Sequence, residues 1–378
     1  PPPPPPPPPP PHFQAEDGIR DNGAGLVGSE MCIRDSAQGY DESVWREMAE
    51  MGWAGIAIPE EFGGLGYGYT GLGLVLEQAG RHLSSSPLQS AVLVAASLVL
   101  ELGNQAQKEQ LLPAIAAGEK LVTLALQEGR HHAPEQVAAT AQAEGDAWVI
   151  SGCKVLVLDA HVADTFIVIA RNAGAAGDPD GLCAFLVDAG AEGLSMERRA
   201  MVDSRNAGVL SLEQVRVPAE NLLGEAGGAW AGLSRALDIA NIGLASELLG
   251  LSTEAFERTV AYLQERKQFG RVIGSFQGLQ HRAAELFAEL ELARSIVLRA
   301  LQAIDAGEQD LALLASAAKA KLCEVAQRAT NESIQMHGGI GMTDEHEIGF
   351  FIKRARVAQH TLGDYNYHLD RFAVLSGF

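Results

Sequence analysis

A chain of 378 residues that is 47% hydrophobic and 20% charged can bury a large core, divides into two or three domains, and is not disordered over most of its length. Its formal net charge of −20 leaves no basic stripe for a nucleic-acid backbone, and no apolar run reaches the roughly 18–20 residues that would cross a bilayer. Cys32, Cys153, Cys183 and Cys323 form no CxxC pair, so neither a zinc site nor a disulfide framework is suggested and a reducing, cytoplasmic setting is expected.

Residues 1–11 are an unbroken proline run, and residues 12–36 show neither helical nor strand periodicity. The latter closely resemble translated sequencing-adapter read-through, so residues 1–36 are set aside as a non-native or disordered leader. A helical domain is expected over 37–118. Val44, Trp45, Met48 and Met51 recur at helical spacing, and further helices are predicted over 72–81, 88–102 and 106–117. Gly66 to Gly71 formally satisfies G-x-G-x-x-G, but helices rather than a βαβ unit surround it, which argues for a glycine-rich turn. After Gly118 the texture changes to short β-branched runs at 121–126, 138–142, 147–158, 165–171, 182–187 and 209–217. They make residues 119–227 a β domain, without parallel rhythm and so antiparallel and barrel-like. Residues 228–378 read as a four-helix bundle, with helices over 229–267, 277–306, 311–336 and 344–360.

The stretch 335–364 is the most suggestive part of that bundle. His337-Gly338-Gly339-Ile340-Gly341 breaks one helix, and Thr343-Asp344-Glu345 offers a capping hydroxyl and two acids to the next. That second helix carries Lys353, Arg354 and Arg356 and is expected to stop near Gly363. Two helices joined by a glycine turn suit a phosphate-bearing cofactor, although an ordinary glycine C-cap looks the same in isolation.

Several marks stand in fixed order. They are Glu60-Glu61-Phe62-Gly63-Gly64-Leu65-Gly66, Val215-Arg216-Val217-Pro218-Ala219-Glu220-Asn221-Leu222-Leu223-Gly224-Glu225, Glu265-Arg266-Lys267-Gln268-Phe269-Gly270, Phe276-Gln277 and the Gln335–Gly341 run. On this α–β–α plan they closely resemble the acyl-CoA dehydrogenase family, from about Ala37 to Phe378. The resemblance implies an α+β fold and FAD-dependent α,β-dehydrogenation of an acyl-CoA thioester: a base takes the α-proton and the β-hydride passes to the flavin. It also implies a tetramer in which FAD lies between the β domain and the bundle, a neighbouring subunit touches its ADP portion, and an acceptor such as electron-transfer flavoprotein takes the electrons. Position by position, Arg266 matches the arginine that meets the FAD pyrophosphate. Phe276 and Gln277 match a flavin-nucleotide contact, and Gln335, His337, Gly338 and Gly339 match the loop over the ADP portion.

The departures from the family concern chemistry. The usual glutamate base position is Leu362, and a second subset's glutamate-arginine position is Ala240-Asn241, so both usual bases are missing. The threonine-glutamate-proline signature beside the flavin follows Leu126 as Gln127-Glu128-Gly129, and the flanking tryptophan and threonine are Leu156 and Leu158. A greasier pocket, tolerant of a bulky or long acyl group, is expected. The pattern resembles the small or non-catalytic subunit of heteromeric enzymes such as pimeloyl-CoA or steroid side-chain acyl-CoA dehydrogenases, which work beside a base-bearing homologue. Asp364 and His360 lie close enough in sequence to substitute for the base, Asp364 most directly if burial raises its pKa. Asp238 falls in the segment where relatives meet the CoA arm. The other readings are an autonomous dehydrogenase using Asp364 and a purely structural partner of an active subunit.

Overall fold

The structure, a computed structural model, describes residues 38–343 and 345–378; the expected leader and Asp344 lie outside the described residues. Helix α1 (Glu42–Glu50) starts where the Asp41 carboxylate accepts from Ser43 N at 2.8 Å. It buries Trp45 and Met48, and Trp45 Nε1 donates to Gly118 O at 3.1 Å, closing the domain on itself. Helix α2 (Gly68–Arg81) absorbs most of the G-x-G-x-x-G run, with no strand before it. The expected helix over 88–102 is two segments, a π-helical Leu88–Ala95 and then α3 (Ala96–Leu102). Helix α4 (Gln105–Ala116) opens on a reciprocal capping box between Asn104 and Gln107.

The middle domain holds β1 (Val122–Ala125), β2 (Thr140–Glu144), β3 (Ala147–Leu158), β4 (Thr165–Arg171), β5 (Leu182–Asp188), β6 (Leu194–Ala200), β7 (Asn206–Pro218) and β8 (Leu222–Leu223). Their order is β6-β7-β3-β2-β4-β5-β8, with β1 on β4. Pairing is antiparallel except where β1 and, at a single residue pair, β2 meet β4. The path is open rather than closed into a barrel. β6 has no counterpart among the expected strands. Its sequence LSMERRA is exposed at nearly every position on the sheet edge, so no apolar alternation marks it. Register shifts between β3 and β7 at Ile150/Gly152 and Lys154/Val157 bend β3.

The C-terminal region is built on α5 (Trp230–Glu265), which runs 36 residues and is buried along most of its length. The small hairpin β9 (Lys267–Gln268) and β10 (Arg271–Val272) leads to α6 (Gln277–Asp305), followed by α7 (Leu311–His337), α8 (Ile348–His360) and α9 (Tyr365–Leu375). Helices α2 and α5 cross at Gly80 and Gly250, where a methyl group on either would collide with a backbone carbonyl of the other helix, Glu247 O and Glu77 O respectively. Two expectations need correction. α8 begins at Ile348 rather than at 344, because Thr343 Oγ1 donates back to Ile340 O at 2.7 Å and closes a 3-10 turn over Gly338–Met342 instead of capping a helix. Arg354 does not join Lys353 and Arg356 in the basic cluster that the sequence suggests. It is buried, its Nε lies 3.0 Å from Asp203 and its Nη1 3.4 Å from Glu247, and it donates to Leu83 O and Ser84 O. It ties α8 to the N-terminal domain.

Candidate active site

A cavity of about 360 Å³ lies between the sheet and the helical bundle. Leu126, Gln127, Leu156 and Leu158 line it from the β domain, Arg356, Val357, His360 and Leu362 from the bundle, and Ser90 and Val94 from the π-helical segment. The sheet-side flavin positions of the sequence, the lost base position and His360 therefore meet in one place.

Two buried lysines shape this cavity. Lys154 Nζ donates to Leu126 O at 3.1 Å and to Glu128 Oε1 at 2.6 Å, while Glu128 accepts from Ala138 N at 2.7 Å and Ala139 N at 3.0 Å. Burial pulls the Lys154 pKa down, opposed by Glu128. The pair folds residues 126–139 onto β3, and Val155 N donates to Gln127 O at 2.7 Å beside the bulge. On the other wall, Lys319 Nζ donates to the carbonyls of Gln359 at 3.5 Å, Thr361 at 2.7 Å and Gly363 at 3.0 Å. These are carbonyls that the end of α8 leaves without helical partners. His368 Nε2 bonds Leu362 O at 3.1 Å, so the turn carrying Leu362 is held from α7 and α9 together.

His132 also lines the cavity, and nothing in its loop sequence marked it. Its ring meets Tyr367 edge-on at 4.9 Å, and Tyr367 in turn meets His368 at 5.0 Å. Burial, reinforced by the positive charges of Lys319 and Arg371, pushes the His132 pKa down to about 3. For His368, burial and Lys319 push it down to about 2. Both are neutral imidazoles at pH 7. Among the described residues lining this cavity there is no carboxylate.

Asp364 lies next door. Its carboxylate accepts from Tyr367 N at 3.0 Å, capping α9, and it lines a second, more polar cavity of about 650 Å³ with Arg328, Asn331 and Asn366. Arg356 and His360 line both cavities. Asp238 is in neither: it is buried against Arg371, whose Nη2 lies 3.1 Å from Asp238 Oδ2, and burial pushes its pKa up. Ala240 and Asn241 are buried in α5, where Asn241 Nδ2 donates to Leu237 O at 3.0 Å.

The remaining cofactor positions gather elsewhere. Arg266 is exposed at the end of α5, and its carbonyl accepts from Ile273 N across the hairpin. The Arg271 guanidinium lies 4.0 Å over the Phe276 ring, and Gln277 opens α6 on the surface. Gln335, Gly338 and Gly339 are exposed, and a methyl group on either glycine would meet nothing. His337 is buried, stacked on Tyr262 at 4.4 Å with Nδ1 at 2.7 Å from Ser333 O. Tyr262 Oη donates to His337 O at 3.3 Å, which joins the Arg266 end of α5 to the glycine turn. None of these residues lines either cavity. One chain thus presents an apolar slot with a polar annex on one side and an open polar corner on another. The slot suits a flat ring, and the annex and corner suit the phosphates and adenosine of a dinucleotide such as FAD.

Comparison with known proteins agrees with the three-part fold. Three family models match in order: the acyl-CoA dehydrogenase N-terminal domain over residues 29–119, the middle domain over 127–215 and the C-terminal domain over 228–374. The short-chain specific acyl-CoA dehydrogenase of Clostridium acetobutylicum is 31% identical over 324 residues, covering 83% of this chain and 84% of its own length. Among solved structures, the Tcur3481-Tcur3483 steroid ACAD variant is 32% identical with a TM-score of 0.82, covering 96% of this chain and 98% of its own. The ChsE4-ChsE5 complex from Mycobacterium tuberculosis, 23% identical with a TM-score of 0.83 and 93% coverage of both chains, shares the fold. No helix among the described residues is long and apolar enough to cross a membrane. With all three domain models matched in register with the observed helical, sheet and bundle regions, the chain belongs to the acyl-CoA dehydrogenase family of oxidoreductases.

Proposed function

We propose that this chain is the FAD-binding, base-less subunit of a heteromeric acyl-CoA dehydrogenase, acting beside a homologous subunit that carries the proton-accepting carboxylate. One observation carries the reading: Leu362 stands on the cavity wall in a turn clamped by Lys319, and no carboxylate lines that cavity among the described residues. FAD, when bound, supplies the hydride acceptor for the β-carbon. Leu126, Gln127, Leu156 and Leu158 would flank its ring and keep water from it. Arg266, Phe276, Gln277, Gln335, His337, Gly338 and Gly339 lie away from the cavity, which supports their serving the ADP portion held by a neighbouring subunit. Leu362 cannot take an α-proton, so in this reading proton abstraction belongs to the partner. The substrate is an acyl-CoA with room for a bulky acyl group, and the electrons leave to an acceptor such as electron-transfer flavoprotein.

A second reading, in which the chain works alone, rests on the position of Asp364 in the annex that shares Arg356 and His360 with the main cavity. There Asp364 would take the proton, and Asp364→Asn would abolish acyl-CoA-dependent reduction of an acceptor. The deciding experiment is purification of the chain alone and with each neighbouring homologue, followed by a visible spectrum and an acyl-CoA reduction assay. Flavin and activity that appear only with a partner support the heteromer. A colourless protein in every combination refutes flavin binding and leaves a structural partner.

A further inference from the structure

The cavity has a polar corner that dehydrogenation does not require. Ser90 lines it from the segment Leu88–Ala95, which winds as a π-helix and is buried at every residue. Such π turns are rare and gather at functional sites. Ser90 Oγ donates to Asp159 Oδ2 at 2.6 Å. Arg205, whose charge reaches Asp159, donates through Nε to Asp203 at 2.8 Å and through Nη1 to Gln89 at 2.9 Å. Asp159 itself holds a left-handed backbone with φ 53°, directly after Leu158 on the cavity wall. Burial pushes its carboxyl pKa up. Ser90 is buried and lines the cavity, whereas Asp159 is half-buried and does not, so the serine stands between the cavity and the carboxylate. Ionisable groups placed so are characteristic of functional sites.

We propose that Ser90, backed by Asp159, is a specificity site that binds a hydroxyl group carried on the acyl chain of the CoA thioester. The inference rests on the proposed function, with the acyl chain entering this cavity beside the flavin ring. A serine has one proton, and here the shorter bond takes it to the Asp159 carboxylate rather than to Pro87 O at 3.3 Å. Ser90 Oγ then turns a lone pair to the cavity and accepts from a ligand O–H. The resulting chain, ligand hydroxyl to serine to carboxylate, strengthens each of its bonds. A keto oxygen, which only accepts, receives no proton from Ser90, and a plain alkyl chain leaves the serine's free lone pair without a donor.

The full chain, purified with the homologous subunits that accompany it, is titrated calorimetrically with octanoyl-CoA, with octanoyl-CoAs hydroxylated at successive carbons, and with the matching oxo compounds. One hydroxy isomer should bind at least ~10-fold more tightly than octanoyl-CoA and than its oxo counterpart. That ratio should fall to about 1 in Ser90→Ala, with melting curves showing the variant folded. In Asp159→Asn the amide can donate to Ser90, so the serine proton is released toward the cavity and preference should move to the oxo compound. Equal binding of all three classes, an oxo preference in the parent, or a hydroxyl preference that survives Ser90→Ala overturns the inference alone. Failure of every acyl-CoA to bind overturns the acyl-CoA reading of the cavity, and this inference falls with it. Should Asp159→Asn not fold, Ser90→Ala decides.

Discussion

Leu156 and Leu362 reach the same cavity from different domains, and both hold left-handed backbone, with φ of 53° and 56°. For an L side chain that conformation costs about 1–2 kcal/mol, so the surroundings must enforce it. At Leu156 the β3 bulge does so, between Lys154 and Val157. At Leu362 the clamp of Lys319 and His368 does. The backbone at 362 is therefore set independently of the side chain it carries.

It follows that Leu362→Glu places a carboxylate on the cavity wall without rebuilding the turn. In the flavin-loaded complex, acyl-CoA-dependent dye reduction by this chain's site should rise by ~100-fold or more, the usual contribution of a positioned general base. A rate equal to the parent's would show that the missing base is not what limits this site.

Arg266 is exposed and makes no side-chain ion pair among the described residues, so its loss should leave folding nearly untouched. Arg266→Ala should instead weaken flavin retention by ~10-fold or more, the value of a charge-assisted bond to phosphate. Flavin absorbance per chain after gel filtration measures it. Unchanged flavin content would remove Arg266 from the cofactor site.

Lys319→Met removes the donor shared by three carbonyls at the end of α8: that of Gln359 keeps Cys323 Sγ at 3.7 Å, while those of Thr361 and Gly363 lose this donor. The expected cost is about 2–4 kcal/mol, read from urea unfolding. A loss under ~0.5 kcal/mol would mean that the clamp does not fix the turn.

His132 and His368 carry folded-state pKa values of about 3 and about 2, well below the ordinary histidine range near 6.5. As pH falls through about 6.5 the unfolded chain takes up protons that the folded chain refuses, so folding stability falls from there down to the folded-state values. Each histidine contributes at most about 1.4 kcal/mol per pH unit within that window. Unfolding free energies measured between pH 7 and pH 5 should decline accordingly, and the decline should flatten in His368→Gln.

Much of the architecture was legible because its signals are local. Long apolar periodicity marks the bundle helices, and the Gly118 boundary separates helical from β-branched texture. The features that escaped are set by tertiary context. β6 is polar on both faces, and α9, YNYHLDRFAVL, is short and polar at its start. The π-helical segment has the same apolar pattern as an α-helix, so its altered winding leaves no mark in sequence. Thr343 has the residue type of a cap, but the Ile340 carbonyl competes for its hydroxyl. The site shows the same limit. Motifs marked Arg266 and the glycine turn, whereas His132 sits in an unmarked loop and Ser90 meets Asp159 across 69 residues of sequence. Matching also placed Asp364 beside the lost base, but a turn of left-handed backbone at Leu362 and Gly363 sends it into the neighbouring cavity.

The Lys319 contacts have a mechanical consequence. Because one α7 side chain holds the carbonyls of Gln359, Thr361 and Gly363, the turn 359–363 is bound to α7 at three points. The bundle wall of the cavity is braced there, like the anvil of a vice. In the acyl-CoA reading, a bulky acyl group would then have to be admitted by the opposite wall, the 126–139 segment and the loop bearing Met201 and Val202, which meet the bundle through His132 on Tyr367 and Asp203 on Arg354. Differences in acyl-chain tolerance between relatives of this chain should accordingly lie in those two segments rather than in the helices that face them.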